Sequence, residues 1–414
     1  MYLGGAVFVG LLVAGCASTG LPRCPKQGGP PWRAVESEHF TIYTDASSTK
    51  AASVAADLEF TRGALAHLLV PEWDGPAGRI PVVLLEGEGH FETFFQDGIV
   101  GLYSELFLQP LVVMDGASGI SAQVLIKHEL THFLVDGYIS LEHMPRWVGE
   151  GLATFFETMD VDRAGGRVTV GKSVDDRVVF APAKYYPQRI MMQYRVEMLQ
   201  SGEGAFYGQS WLKVHFLVNH HGPAFAAFLD GLHRGKSEDE AWREAFPDLP
   251  QDRLEEHLTA YVTDGKYRVT TLRVPTYPYK ISERAVDDAD VHGWRAALYA
   301  VRSKVKDERG EKARVTARAE VAEARKEDPA HVMALGAEFL LDDGVTVEKA
   351  RLATTTHAES WLGWFLLAEA MRKGGDDKAA WEAVKEALRR TEANPAIWLK
   401  DKLKGIDRPT PGHG

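Results

Sequence analysis

Two cysteines in 414 residues are too few for a disulfide framework to stabilise the fold. The apolar run at residues 3–15 falls short of the roughly 20 residues that a membrane-spanning helix needs. Positive charge is also in deficit. Against 58 Asp and Glu there are 47 Lys and Arg, a net charge of -11, which argues against a nucleic-acid binder with its usual basic face. What remains is an ordinary globular composition, 45% hydrophobic and 25% charged. The length exceeds one hydrophobic core, so two or three domains are expected.

The run at residues 3–15 has the length of a signal-peptide core and closes on Val13-Ala14-Gly15-Cys16. Small residues directly before a cysteine resemble the lipobox of bacterial lipoproteins, although no Lys or Arg precedes the run. The resemblance implies a signal peptide over residues 1–16 and a lipid on Cys16. The protein would then sit in the bacterial cell envelope, facing the periplasm or exterior, with the membrane contacted through the lipid alone. Ala17, rather than Asp, leans the assignment towards the outer membrane. Residues 17–31, rich in Pro, Gly and Lys towards their end, suit a tether. Lipidation of Cys16 leaves Cys24 without an intrachain partner.

Folded sequence begins near Trp32. Alternation over residues 39–44 predicts a strand, helical spacing over 51–69 an amphipathic helix, and the apolar run 80–85 a buried strand. Another strand is expected over 106–114, then apolar helices at 121–135 and 145–158, a strand-and-turn stretch at 166–179, and helices from 208 to about 266. Strands before helices indicate an α+β domain over residues 32–268. Two prolines and weak helix signals place a linker at 269–284. Residues 285–405 carry a 3.6-residue pattern of Ala, Glu, Lys and Arg and read as an all-α domain of helical hairpins. Trp364, Leu367, Ala368, Ala380 and Ala387 resemble the key positions of a tetratricopeptide repeat, a module for protein partners. Removing residues 285–414 is therefore expected to leave the first domain working on small substrates.

The chemistry concentrates in His128-Glu-Leu-Thr-His132. Residues four apart on a helix emerge from one face, so both imidazoles can bind one zinc ion at about 2.0–2.1 Å. Glu129, rotated by about 100°, can lie beside the metal as the base that takes a proton from zinc-bound water. A third ligand is available in Glu150, inside Pro145-Arg-Trp-Val-Gly-Glu150-Gly-Leu-Ala-Thr-Phe-Phe-Glu157. The seventeen residues between His132 and Glu150 suffice to end one helix at Asp136-Gly137 and begin a second beside it. Gly149 and Gly151 suit a close approach of those two helices. Two His and one Glu leave the fourth zinc position open, as catalytic sites do.

At these residues the chain resembles the gluzincin metallopeptidases, which pair His-Glu-x-x-His with a downstream Glu. The matching stretch here is Trp147-Val-Gly-Glu150-Gly-Leu-Ala153. The region around Phe40 to Phe60 and the stretch Tyr207-Gly-Gln-Ser-Trp-Leu212 look more like a little-characterised bacterial group of peptidase-like proteins in that clan. The resemblance implies a zincin-like fold, Zn2+ held by His128, His132 and Glu150, and hydrolysis of peptide or protein substrates with Glu129 as base. It implies an oxyanion donor downstream, for which Tyr207 is the first candidate and His215 the second. It also implies an edge strand that aligns the substrate, for which residues 111–114 are in position. Many gluzincins carry an acid four residues after the third ligand. Here Thr154 stands there, and Glu157 or Asp136 is left to support a histidine. The alternative reading is a non-catalytic zincin-like scaffold acting through its helical repeats.

Overall fold

A computed structural model of the protein describes residues 24–69, 79–87, 90, 93–94, 101–104, 111–116, 120–139, 143–172, 203–265, 267–276 and 278–390. Cys16, residues 106–110 and 173–179, and the side chains of Asp136 and Tyr207 lie outside that description. Its strands are β1 (Arg33–Glu36), β2 (Phe40–Thr44), β3 (Ile80–Leu85), β4 (Gly101–Ser104), β5 (Leu111–Asp115), β6 (Asp160–Asp162), β7 (Arg167–Val170), β8 (Thr270–Arg273) and β9 (Ser282–Ala285). Helices α1 (Ser48–Leu69), α2 (Ile120–Tyr138), α3 (Arg146–Glu157), α4 (Glu203–His233), α5 (Glu238–Ala245) and α6 (Leu254–Asp264) belong to the first part. The second part holds α7 (Asp288–Arg302), α8 (Glu308–Glu327), α9 (Val332–Leu340), α10 (Val347–Thr356), α11 (Trp361–Lys373) and α12 (Asp377–Arg390). The fold is mixed α+β.

Six strands form one sheet in the order β4-β5-β3-β2-β1-β9. β2, β3 and β5 run parallel, while β4, β1 and β9 join antiparallel to their neighbours. A sheet covered on both faces needs strands that are apolar on both, and β3 meets that demand. Its Ile80, Val82 and Leu84 enter a core shared with α1, α2, α3 and α4, while Val83 and Leu85 enter a second core on the opposite face. That second core contains Trp32, Ala34, Leu111 and Val113 together with residues of α7, α8 and α9. Tyr43 stacks at a tilt on Trp294, and Phe94 on Tyr299, at 4.7 and 4.6 Å between ring centroids. A second, three-stranded sheet runs β6-β7-β8.

Several expectations change here. The stretch read as a linker supplies β8, which pairs with β7, and β9, which pairs with β1 from Arg33↔Ala285 to Glu36↔Ser282. Helices α7 to α9 do not form a separable body, because they cover the back of the sheet; only α10 to α12, with α9, build a core of their own. The end of the expected tether is folded. Pro25–Gln27 forms a 3-10 turn, the Lys26 backbone N–H donates to Asp288 at 2.9 Å, and Cys24 is buried. β5 lies between β3 and β4, so the edge strand beside α2 is β4 rather than residues 111–114. Among the described residues no helix is long and apolar enough to cross a membrane.

Candidate metal centre

Helix α2 places the two histidines. Its Ile126, Leu130, Phe133 and Leu134 are buried against the front of the sheet, which turns His128 and His132 towards α3. The helix passes through Asp136-Gly137 to Tyr138 instead of stopping there. Lys127 donates to the Met159 carbonyl at 2.6 Å and ties α2 to the end of α3; burial lowers its pKa to about 8.

Helix α3 lies between α2 and α4. Pro145 precedes it as the N-cap, and Val148, Leu152, Phe155 and Phe156 bury its apolar side, each contributing about 1.5–3 kcal/mol. Trp147 anchors it to the following helices: its indole N–H donates to Glu238 at 2.8 Å and its ring stacks near Phe228. The two glycines that flank Glu150 differ. A Cβ on Gly151 would meet the Ser210 carbonyl of α4 at 2.5 Å, whereas one on Gly149 would find the His132 ring at an ordinary 3.8 Å. The close approach is therefore between α3 and α4, not between the two metal helices as expected. Gly151→Ala should cost about 1–3 kcal/mol by forcing those backbones apart. Gly149→Ala should raise stability by up to about 1 kcal/mol through helix propensity. Thermal melts of the two variants should move in opposite directions; equal shifts would remove this account.

The three expected ligands meet. His132 Nε2 stands 3.3 Å and His128 Nε2 3.8 Å from the same Glu150 oxygen, and the imidazole centroids are 4.9 Å apart. Donors at about 2.0–2.1 Å in a tetrahedron lie roughly 3.3 Å from one another, so both histidine–carboxylate distances are already within about 0.5 Å of those a zinc ion requires, and all three donors lie within 4.8 Å of one another. The side chains remain 14%, 21% and 17% exposed for His128, His132 and Glu150, enough to be reached from solvent. Behind them, His128 Nδ1 donates to Glu157 at 2.9 Å. That bond fixes the tautomer, with Nε2 as the ligand-type nitrogen facing Glu150. Glu157 thus fills the supporting role, while Thr154 donates to its own helix at the Glu150 carbonyl. The interval of seven from Glu150 to Glu157 puts both on one helix face, a signal present in the sequence.

Burial would raise the Glu150 pKa, but the hydrogen bond to His132 and the two histidine charges outweigh it and hold the carboxyl below its usual range. Glu129 differs in sign. Burial pushes its carboxyl up, only partly opposed by His128 and His132, and Glu150 and Glu157 add to the rise.

His215 is committed to other partners. It is fully buried, with Nε2 donating to the Gly171 carbonyl at 3.1 Å and Nδ1 accepting from the Tyr261 hydroxyl at 2.8 Å. Burial lowers its pKa to about 4, and no N–H is left for an oxyanion. Its partner Gly171 has φ +83°, and a Cβ there would lie 2.4 Å from the Arg268 carbonyl. His215 therefore secures the turn after β7. An apolar cavity of about 880 Å³ is lined by Leu152, Phe155, Phe156 and Phe225, but by none of the three clustered residues.

A family described as a protein of unknown function (DUF1570) matches residues 124–237, just over a quarter of the chain. The matched segment contains His128, His132, Glu150 and Glu157. No curated protein matches the chain.

Proposed function

We propose that the protein is a zinc-dependent peptidase of the gluzincin kind, built on a zincin-like domain and held in the bacterial cell envelope through Cys16. The observation that carries this reading is the convergence of His128 Nε2, His132 Nε2 and a Glu150 oxygen, with Glu157 behind His128 and Glu129 beside the set. A zinc ion bound there would polarise a peptide carbonyl and acidify a water molecule. Glu129 takes the proton from the attacking water and passes it to the leaving amine, work that suits a carboxyl whose pKa burial has raised. The outer edge of β4, beside α2, offers backbone groups on which an extended peptide can align. Tyr207, in the first turns of α4, is the proposed oxyanion donor. Helices α10 to α12, where Leu367, Ala368, Ala380 and Ala387 are buried, are the proposed tetratricopeptide-like surface for a protein partner.

The test joins metal analysis to a broad peptide-library digest. His132→Ala and Glu150→Ala should lose zinc from this cluster, and Glu157→Gln should bind it about 10- to 100-fold more weakly. Wild type should cleave peptides only when loaded. A zinc-loaded wild type that cleaves nothing would favour the binding-scaffold alternative, and full zinc retention in Glu150→Ala would remove Glu150 as a ligand.

A further inference from the structure

A second group of metal-type ligands lies on the far face of the sheet. Cys24, from the turn before β1, His292 of α7 and Glu320 of α8 are 1%, 6% and 7% exposed, and their donor atoms lie within 4.8 Å of one another. Three separate segments contribute one donor each. From this arrangement we infer a second metal site, Cys24–His292–Glu320, that takes Zn2+ on three protein donors and clips the N-terminal segment to the helical layer.

The donor chemistry is that of zinc: a thiol, an imidazole and a carboxyl. Cys24 Sγ is 3.5 Å from His292 Nδ1. Ligands at about 2.3 Å for sulfur and 2.0–2.1 Å for nitrogen, at a tetrahedral angle, stand roughly 3.5 Å apart. The Nδ1 to Glu320 Oε2 contact of 2.5 Å must open by under about 1 Å to reach the corresponding edge. Arg295 is the evident objection, since its guanidinium lies 3.7 Å from the sulfur. That contact is a long hydrogen bond to the sulfur, and the shorter bonds of Arg295 go to Glu320 Oε1 at 2.7 and 2.9 Å, which leaves Oε2 on the His292 side for the ion; ligating carboxylates are commonly held in this way.

The test uses the full chain, stripped of metal and reloaded with Co2+. A coordinating thiol is deprotonated, and a thiolate on cobalt absorbs in the near ultraviolet. The His128–His132–Glu150 cluster contains no sulfur, so this band reports the second site alone and is indifferent to whether the first site is catalytic. The band should appear in wild type, in Cys16→Ser and in His132→Ala, and vanish in Cys24→Ser. Zinc content should fall from two ions per chain to one in Cys24→Ser. Because Cys24→Ser alters a buried contact, Glu320→Gln keeps the thiol and should weaken cobalt binding at this site at least about 10-fold. Absence of the band in wild type, or its persistence in Cys24→Ser, would overturn the site and leave a metal-free polar contact.

Discussion

Glu129→Gln is expected to lower peptide hydrolysis by at least about 100-fold while the zinc content stays that of wild type. The substitution keeps the size of the side chain and much of its hydrogen bonding but removes the ability to accept a proton. None of the proposed donors, His128, His132 and Glu150, is touched, so metal analysis of the same preparation separates a missing base from a missing ion. Glu150 and Glu157 cannot substitute: one is a donor in the cluster, the other is engaged with His128 Nδ1. A Glu129→Gln protein that retains zinc and more than a tenth of the activity would exclude Glu129 as the base.

Truncation after residue 284 is expected to abolish folding, the reverse of what the sequence suggested for a free-standing peptidase domain. The cut removes Ala285 from β9 and all of α7 to α9, baring Val83, Leu85, Leu111 and Val113 on the back of the sheet. At about 1.5–3 kcal/mol for each apolar side chain, these four alone amount to roughly 6–12 kcal/mol as an upper estimate. That is comparable to the whole stability of a typical domain, about 5–15 kcal/mol. A chain ending at residue 344 retains α7 to α9 and loses only partners of the α9 face that meets α10 to α12. It should remain soluble, melt cooperatively and hold zinc. A cooperative melt of the chain ending at residue 284 would show that the back layer is dispensable.

The elements that place the metal cluster were legible in the sequence because each is long or strongly periodic. β2, β3, α1, α2 and α3 fall within a few residues of their expected bounds. The convergence of His128 and His132 was legible for the same reason, since a spacing of four on one helix fixes a shared face before any tertiary contact is known. What failed to show has a common physical cause. β4 and β9 have four residues each, and β9 is Ser-Glu-Arg-Ala, exposed throughout and joined to β1 by backbone pairing and the ion pairs Arg33–Glu283 and Glu36–Arg284, with no apolar contact of its own. Backbone pairing leaves no hydrophobic alternation to read. The role of Gly151 depends on how near α4 comes, and that of His215 on the turn at Gly171; neither partner is close in sequence. The linker was misplaced because proline and weak helicity mark a short edge strand as readily as a domain boundary.

The pairing of β1 with β9 has a consequence for the order in which the protein assembles. Arg33 emerges from the ribosome long before Ala285, its partner, so the outer edge of β1 stays open while some 250 residues are made. An open strand edge is a template for unwanted pairing, and contacts this distant in sequence form late. Completion of the sheet, and of the back layer over it, must therefore wait until synthesis has passed the first two-thirds of the chain. A chain cut short of that point has α2 and α3 but an unfinished sheet, whose open edge is the kind that pairs with neighbouring chains.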